Sequence, residues 1–284
     1  MMNSHELRRF PLTAGIATTV LLFLYLPLLV IGWMSFNDGP SALMWKGWST
    51  RGYIEAWADP TLIRAIQNSL ALALGSMVLS TGLATSAAVA AWSRTERRAV
   101  DLRTLVIGLP LAIPEVVLAI ATMMLFSMLG LDVGFVAVLF AHVVFCVPLA
   151  YLPINARLKT IDRTLLEAAA DLSAPPWAAF RQITLPLALP GIVAGALLSF
   201  VASMNDYVTS YFLAGAGMST LPMYIFSSLK IGISPKISAV SIAVVALSSI
   251  QLLAVWALGA RRSRRSIGAR IEPYHSNVQT MRAV

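Results

Sequence analysis

Residues 160–186 read TIDRTLLEAAADLSAPPWAAFRQITLP, and the reading of this stretch decides the fold. Asp162 is placed to cap a helix, and Leu165, Ala168, Ala169 and Leu172 then recur at helical spacing. Ser173-Ala174-Pro175-Pro176 breaks that helix. Pro176 suits the first turn of a second, short helix through Trp177 and Phe180, which Leu185-Pro186 brings to a stop. The pattern predicts a helix–break–helix elbow whose alanines let another backbone come close. A water-facing loop without a partner would be polar, whereas this one offers Leu, Trp, Phe and Ile. It folds back on its own bundle, lies in a lipid interface, or is covered by another protein.

Outward from the elbow the chain is apolar on both sides. Of 284 residues, 58% are apolar and 12% charged, with a mean hydropathy of +0.76. An ordinary soluble domain is about a quarter charged, so most soluble readings are excluded, together with disorder and fibrous classes. Crossing roughly 30 Å of hydrocarbon takes about 20 helical residues, and six runs meet that requirement: 12–36, 67–92, 103–128, 133–156, 187–212 and 237–260. The first is a retained helix, because its apolar core outruns a signal peptide and no A-x-A-like site follows. The expected fold is therefore all-α: a polytopic membrane protein of about six transmembrane helices. Residues 1–284 form one transmembrane domain, 157–186 its cytoplasmic loop, and 261–284 a basic tail.

The net charge of +8 would raise the question of nucleic acid in a soluble protein. Its distribution answers it. Sixteen of the 21 Lys and Arg fall in the N-terminus, the 93–102 connection with Arg103 at its edge, the 157–186 connection and the tail, which includes Arg261, Arg262, Arg264 and Arg265. Only Lys46, Arg51, Arg64, Lys230 and Lys236 fall on the other side. By the positive-inside rule both termini are cytoplasmic, and no nucleic-acid partner is needed to explain the charge. The single cysteine, Cys146, lies in an apolar run as a packing residue, and His5, His142 and His275 are too far apart in sequence to suggest a metal site. No cofactor is expected.

The elbow is similar to the EAA loop of binding-protein-dependent ABC importer permeases. Glu167-Ala168-Ala169 opens it, and Ile183, Leu185 and Pro186 close it at that family's spacing. Ser173 stands where the family usually has glycine. If that position takes a positive φ, serine adopts it at a cost, and the break is shaped differently. The resemblance implies that the loop docks on a cytoplasmic ATP-hydrolysing subunit, with a second permease and a periplasmic binding protein completing the assembly. The chain has no G-x-x-x-x-G-K-[ST], so the ATPase is a separate polypeptide.

Of thirteen acids, two sit well inside apolar runs. Glu115 follows Pro110 and Pro114, roughly 18 Å from the cytoplasmic edge, and Asp206 lies roughly 28 Å in, at 1.5 Å per residue. An ionisable residue at such depth is a functional candidate by default, the alternatives being a structural partner for Glu115 and a hydrated helix end for Asp206. With Asn205, Tyr207 and Trp48 they make a candidate substrate path, although aromatics near an outer face also serve as an interfacial belt.

Leu109-Pro110…Pro114-Glu115, Asn205-Asp206 and Thr220-Leu221-Pro222-Met223…Ser234-Pro235-Lys236 resemble the spermidine/putrescine class of these permeases, which implies a polyamine as solute. Asn205 and Lys236 stand where that class tends to carry acids, so another small solute, such as an aminophosphonate or an opine, stays open. A gradient-driven carrier would show internal repeats, and a membrane enzyme would show nucleophile–base sets; neither reading explains the elbow.

Overall fold

A computed structural model of the chain describes residues 11–41, 44–92 and 102–250. The 93–102 connection, apart from Leu102, and the 261–284 tail lie outside the described residues. Among those described, the secondary structure is helical, with one isolated bridge between Asn37 and Trp48.

Four helices are long and apolar enough to cross a membrane. These are α1 (Pro11–Met34), α3 (Pro60–Trp92), α6 (Phe135–Leu158) and a continuous stretch, Pro176–Asn205, containing α8 (Pro176–Ala179) and α9 (Leu185–Asn205). α4 (Leu102–Ala112) and α5 (Glu115–Met128) supply a fifth if a pair bent by 101° counts as one span. α2 (Arg51–Trp57), α7 (Thr164–Asp171), α10 (Val208–Leu213), α11 (Leu221–Ile231) and α12 (Pro235–Ile250) complete the order. Of the expected sixth span, 237–260, the part up to Ile250 lies in α12, and the rest lies outside the described residues.

Three expected boundaries move, each at a proline or a polar residue. The 103–128 run is broken at Ile113-Pro114 because Pro114 has no N–H to continue the α4 ladder, and the Ile113 N–H turns back to the Pro110 carbonyl instead. Leu185-Pro186 does not stop the second elbow helix. Phe180–Thr184 widens into a π turn, in which the Leu185 N–H reaches the Phe180 carbonyl, and the helix runs on as α9. The fifth span ends at Asn205, and Asp206 starts a new turn of helix.

The chain divides into two compact units, one reaching to Ile63 and resuming at Tyr224–Ser249, the other spanning Arg64–Met223 and resuming at Ile250. In the first, α1 is apolar all round and largely uncovered, with Phe23 77% exposed, as suits a helix facing lipid or another subunit. In the second, α6 crosses α9 at Gly191 and Gly195. A Cβ on Gly195 would meet the Ala150 carbonyl oxygen at 2.7 Å, and one on Gly191 would meet the Arg157 Cβ at 2.6 Å. In lipid, helices associate through such close backbone packing rather than through hydrophobic burial. Reciprocal bonds reinforce the crossing: the Ser199 hydroxyl donates to the Cys146 carbonyl (3.3 Å), and the Cys146 thiol donates to the Ser199 carbonyl (3.4 Å).

Candidate functional site

The elbow folds as a helix, a sharp break and a second helix. The Thr164 N–H donates to Asp162 Oδ1 at 3.0 Å, which satisfies one open N–H of α7 and holds the Asp162 carboxyl below its ordinary range. At the other end of α7 the Ala174 N–H reaches the Ala169 carbonyl (3.0 Å) and the Ser173 N–H reaches the Ala170 carbonyl (2.8 Å). These two bonds define a Schellman cap with Ser173 at its left-handed position, where it holds φ = 57°. The break keeps the form a glycine would give it. Ser173 is the one non-glycine among the described residues with a positive φ, and a left-handed L-residue costs about 1–2 kcal/mol. Ser173→Gly is therefore expected to stabilise the folded chain by up to about 1 kcal/mol, less than the strain because glycine also gains freedom when unfolded. Thermal unfolding in detergent measures it, and an unchanged or lower midpoint would contradict the strain.

The elbow exposes an apolar face. Leu172 is 84% exposed and Trp177 68%, with Trp177 and Phe180 packed ring to ring at 5.5 Å. Glu167, Ala168 and Pro186 are also exposed, while Ile183 and Leu185 are half-buried. Ala169 departs from expectation. It is buried, so the outward face is built by Leu165, Ala168 and Leu172.

Glu115 is the first residue of α5, exposed at the sharp bend from α4. Its charge suits the positive end of the α5 dipole, and among the described residues no cationic side chain pairs with it.

Asp206 has different surroundings. It is buried, and its Oδ2 accepts from the Ser210 N–H (2.8 Å) and hydroxyl (3.0 Å), while Oδ1 accepts from the Thr209 N–H (3.2 Å). His142 Nε2 lies 3.1 Å from Oδ2, and His142 Nδ1 lies 2.7 Å from the Ser203 hydroxyl. With its proton on Nε2, the imidazole donates to Asp206 and accepts from Ser203. Asp206 thus ends α9, caps α10 and ties both to α6. Its carboxylate is buried and engaged by the chain's own donors. The grouping has the outline of a Ser–His–Asp relay, but Ser203 is 4% exposed and Asp206 is committed to a helix end, so no acyl substrate reaches it.

His142 was missed in the sequence because its partners lie more than 60 positions away. The available signal was a lone histidine inside an apolar run whose length requires a polar neighbour. Asn205 donates back to the Val201 carbonyl on its own helix (2.9 Å), and Tyr207 stacks on Tyr211 at 5.5 Å. Trp48 belongs to the first unit, where it packs against Trp33 (4.7 Å), Trp45 (5.1 Å) and Phe36 (5.9 Å). No group of residues able to hold a metal ion occurs among the described residues.

Residues 80–265 match the family described as binding-protein-dependent transport system inner membrane component. The chain belongs to that family. Over 257 residues, 90% of this chain and 97% of the relative, it is 33% identical to the spermidine/putrescine transport system permease protein PotC of Escherichia coli K12. Over 272 residues, 94% and 97% of the two chains, it is 34% identical to the putrescine transport system permease protein PotI of the same organism. Solved structures share the fold. A bacterial ABC transporter involved in import of the acidic polysaccharide alginate matches with a TM-score of 0.67 at 16% identity, covering 92% of this chain and 99% of that one. The MetNI methionine ABC transporter matches at 0.60 and 18%, covering 72% and 96%.

As a member of this family the chain is a permease subunit of an ABC importer, not an enzyme. The matched region contains the elbow, the Glu115 bend and the Asp206 network.

Proposed function

We propose that this permease subunit forms half of the route by which a polyamine, putrescine or spermidine, enters the cell. The observation that carries the reading is the similarity to two polyamine permeases across almost the full length of both partners. The Glu115 bend supports it: a deep, exposed carboxylate at a helix break offers an ammonium a charge and carbonyl oxygens together. In this reading residues 1–284 work as one transmembrane subunit in the inner membrane, with both termini and the basic 261–284 tail cytoplasmic. The 157–186 elbow docks on a dimer of ATP-binding subunits. A second, homologous permease lines the other half of the route, and a periplasmic binding protein delivers the solute.

Uptake of labelled putrescine and spermidine in cells lacking other polyamine importers tests the assignment. Glu115→Gln keeps the shape and removes the charge. At an effective dielectric of about 20, a carboxylate 4 Å from an ammonium contributes on the order of 4 kcal/mol before desolvation, so at least a roughly ten-fold loss of uptake is expected. Glu55→Gln, which removes an exposed partner of Arg51, is the control and should be near neutral. Wild-type uptake by Glu115→Gln would make that carboxylate structural and favour a neutral or zwitterionic solute.

A further inference from the structure

In the first unit, apart from the residues assigned above, Asp59 stands at the start of α3. Its Oδ1 accepts the N–H groups of Thr61 (2.8 Å) and Leu62 (3.3 Å), which caps the helix. Its Oδ2 accepts the Tyr224 hydroxyl (2.7 Å) and, as a second donor, the Lys236 ammonium. The Lys236 Nζ also lies 5.7 Å from the centre of the Tyr224 ring. A carboxylate, a phenol and an aromatic face thus converge on one primary ammonium, the donor and ring set that recognises alkylammonium ligands. Each part is held in place. The helix cap fixes Asp59. Gly52 of α2 lets the start of α12 approach so closely that a Cβ there would meet the Pro235 carbonyl at 2.9 Å.

The occupant is held less firmly than the site. Lys236 is the second residue of α12, where the helix dipole opposes a cation, and its side chain is flexible. The side chains of Lys236 and Asp59 remain 24% and 18% exposed, so solvent and solutes reach the pair.

We infer that Asp59 and Tyr224 form a binding site for the ammonium end of an alkylamine, filled in the resting chain by the chain's own Lys236, which an incoming amine displaces. Lys236 is then a specificity-determining residue. It neutralises Asp59 when no solute is present and keeps a cation from being trapped there. The inference rests on the polyamine reading only for the choice of putrescine as ligand.

The test uses the full-length chain in lipid nanodiscs with its partner subunits, and titrates putrescine and n-butylammonium by calorimetry at low ionic strength. Lys236→Met should bind both at least about ten-fold more tightly than wild type, the effect expected when a partly buried carboxylate and a cation–π face are freed together. Adding Asp59→Asn to Lys236→Met should abolish the gain, and Lys236→Arg, which keeps the ion pair, should behave as wild type. No gain in a folded Lys236→Met overturns the inference. So does failure of both Lys236→Met and Lys236→Gln to fold, because a displaceable ammonium is not one the fold requires. Absence of polyamine uptake by wild type, with n-butylammonium still gained by Lys236→Met, removes the cargo reading and leaves the site. Uptake without any gain does the reverse.

Discussion

Asp206→Ala is expected to cost the folded chain about 3–5 kcal/mol, the range seen when one partner of a buried, hydrogen-bonded charge is removed. The substitution leaves the Ser210 and Thr209 N–H groups at the start of α10 without their acceptor, and His142 Nε2 without its carboxylate. All of these are buried, so water does not replace what is lost. Asp206→Asn should cost roughly half as much, since an amide oxygen still accepts from one N–H while its NH₂ faces the His142 ring. Yield from the membrane and the thermal midpoint in detergent measure both. The two roles for Asp206 separate cleanly here. If Asp206→Ala keeps the wild-type midpoint and loses only uptake, the carboxylate belongs to the solute route and the network is incidental. The expected result is that stability and uptake fall together, with Ser203→Ala weakening the same network by a smaller amount, about 1 kcal/mol.

The difference between reading Asp206 as a path residue and finding it in a network shows where sequence reasoning stops. Depth in the membrane is legible, because it needs only a count along a helix, and by that count both Glu115 and Asp206 are buried deep. What a carboxylate faces is a property of two helices at once. Glu115 stayed exposed because Pro114 breaks the helix and leaves the residue at a corner, and the proline was visible in the sequence although the 101° bend was not. Asp206 was drawn inward by a histidine 64 positions earlier, and that pairing depends on how α6 meets α9. The crossing itself has a signal, Gly191 and Gly195 four residues apart, whose meaning appears only when Arg157 and Ala150 are found against them.

The elbow was the most legible part, since its capping, spacing and break are local. Even there, two features were set by geometry beyond the pattern. The π turn at Phe180–Thr184 carried the helix past Pro186, and Ala169 is buried where the spacing alone placed it beside Ala168. Ser173 is the opposite case: the sequence flagged a cost at this position, and the structure locates it as a left-handed cap with an ordinary shape.

Burial of Ala169 also decides how coupling should be tested. A bulky residue there would disrupt the elbow itself, so the informative substitutions are on the outward face, at Leu172 and Ala168. Leu172 offers its whole side chain, and docking that buries such a residue gains about 1.5–3 kcal/mol from its apolar surface. Leu172→Asp forfeits that gain and adds the cost of desolvating a charge, while Ala168→Trp places a large ring where a close backbone approach is needed. Each is expected to weaken docking by about 2–4 kcal/mol, a roughly 30- to 1,000-fold loss. Two measurements on the same membranes check it: retention of the ATP-binding subunit through purification, and ATP turnover stimulated by the loaded binding protein. Both should collapse while membrane insertion and the thermal midpoint of the permease hold, because neither side chain is needed by the elbow's own fold. Leu172→Met, which keeps an apolar side chain of similar volume, should retain most of the coupling. Normal turnover in Leu172→Asp with the ATPase still bound would mean that the exposed face rests on lipid instead, and that the ATPase grips the permease elsewhere.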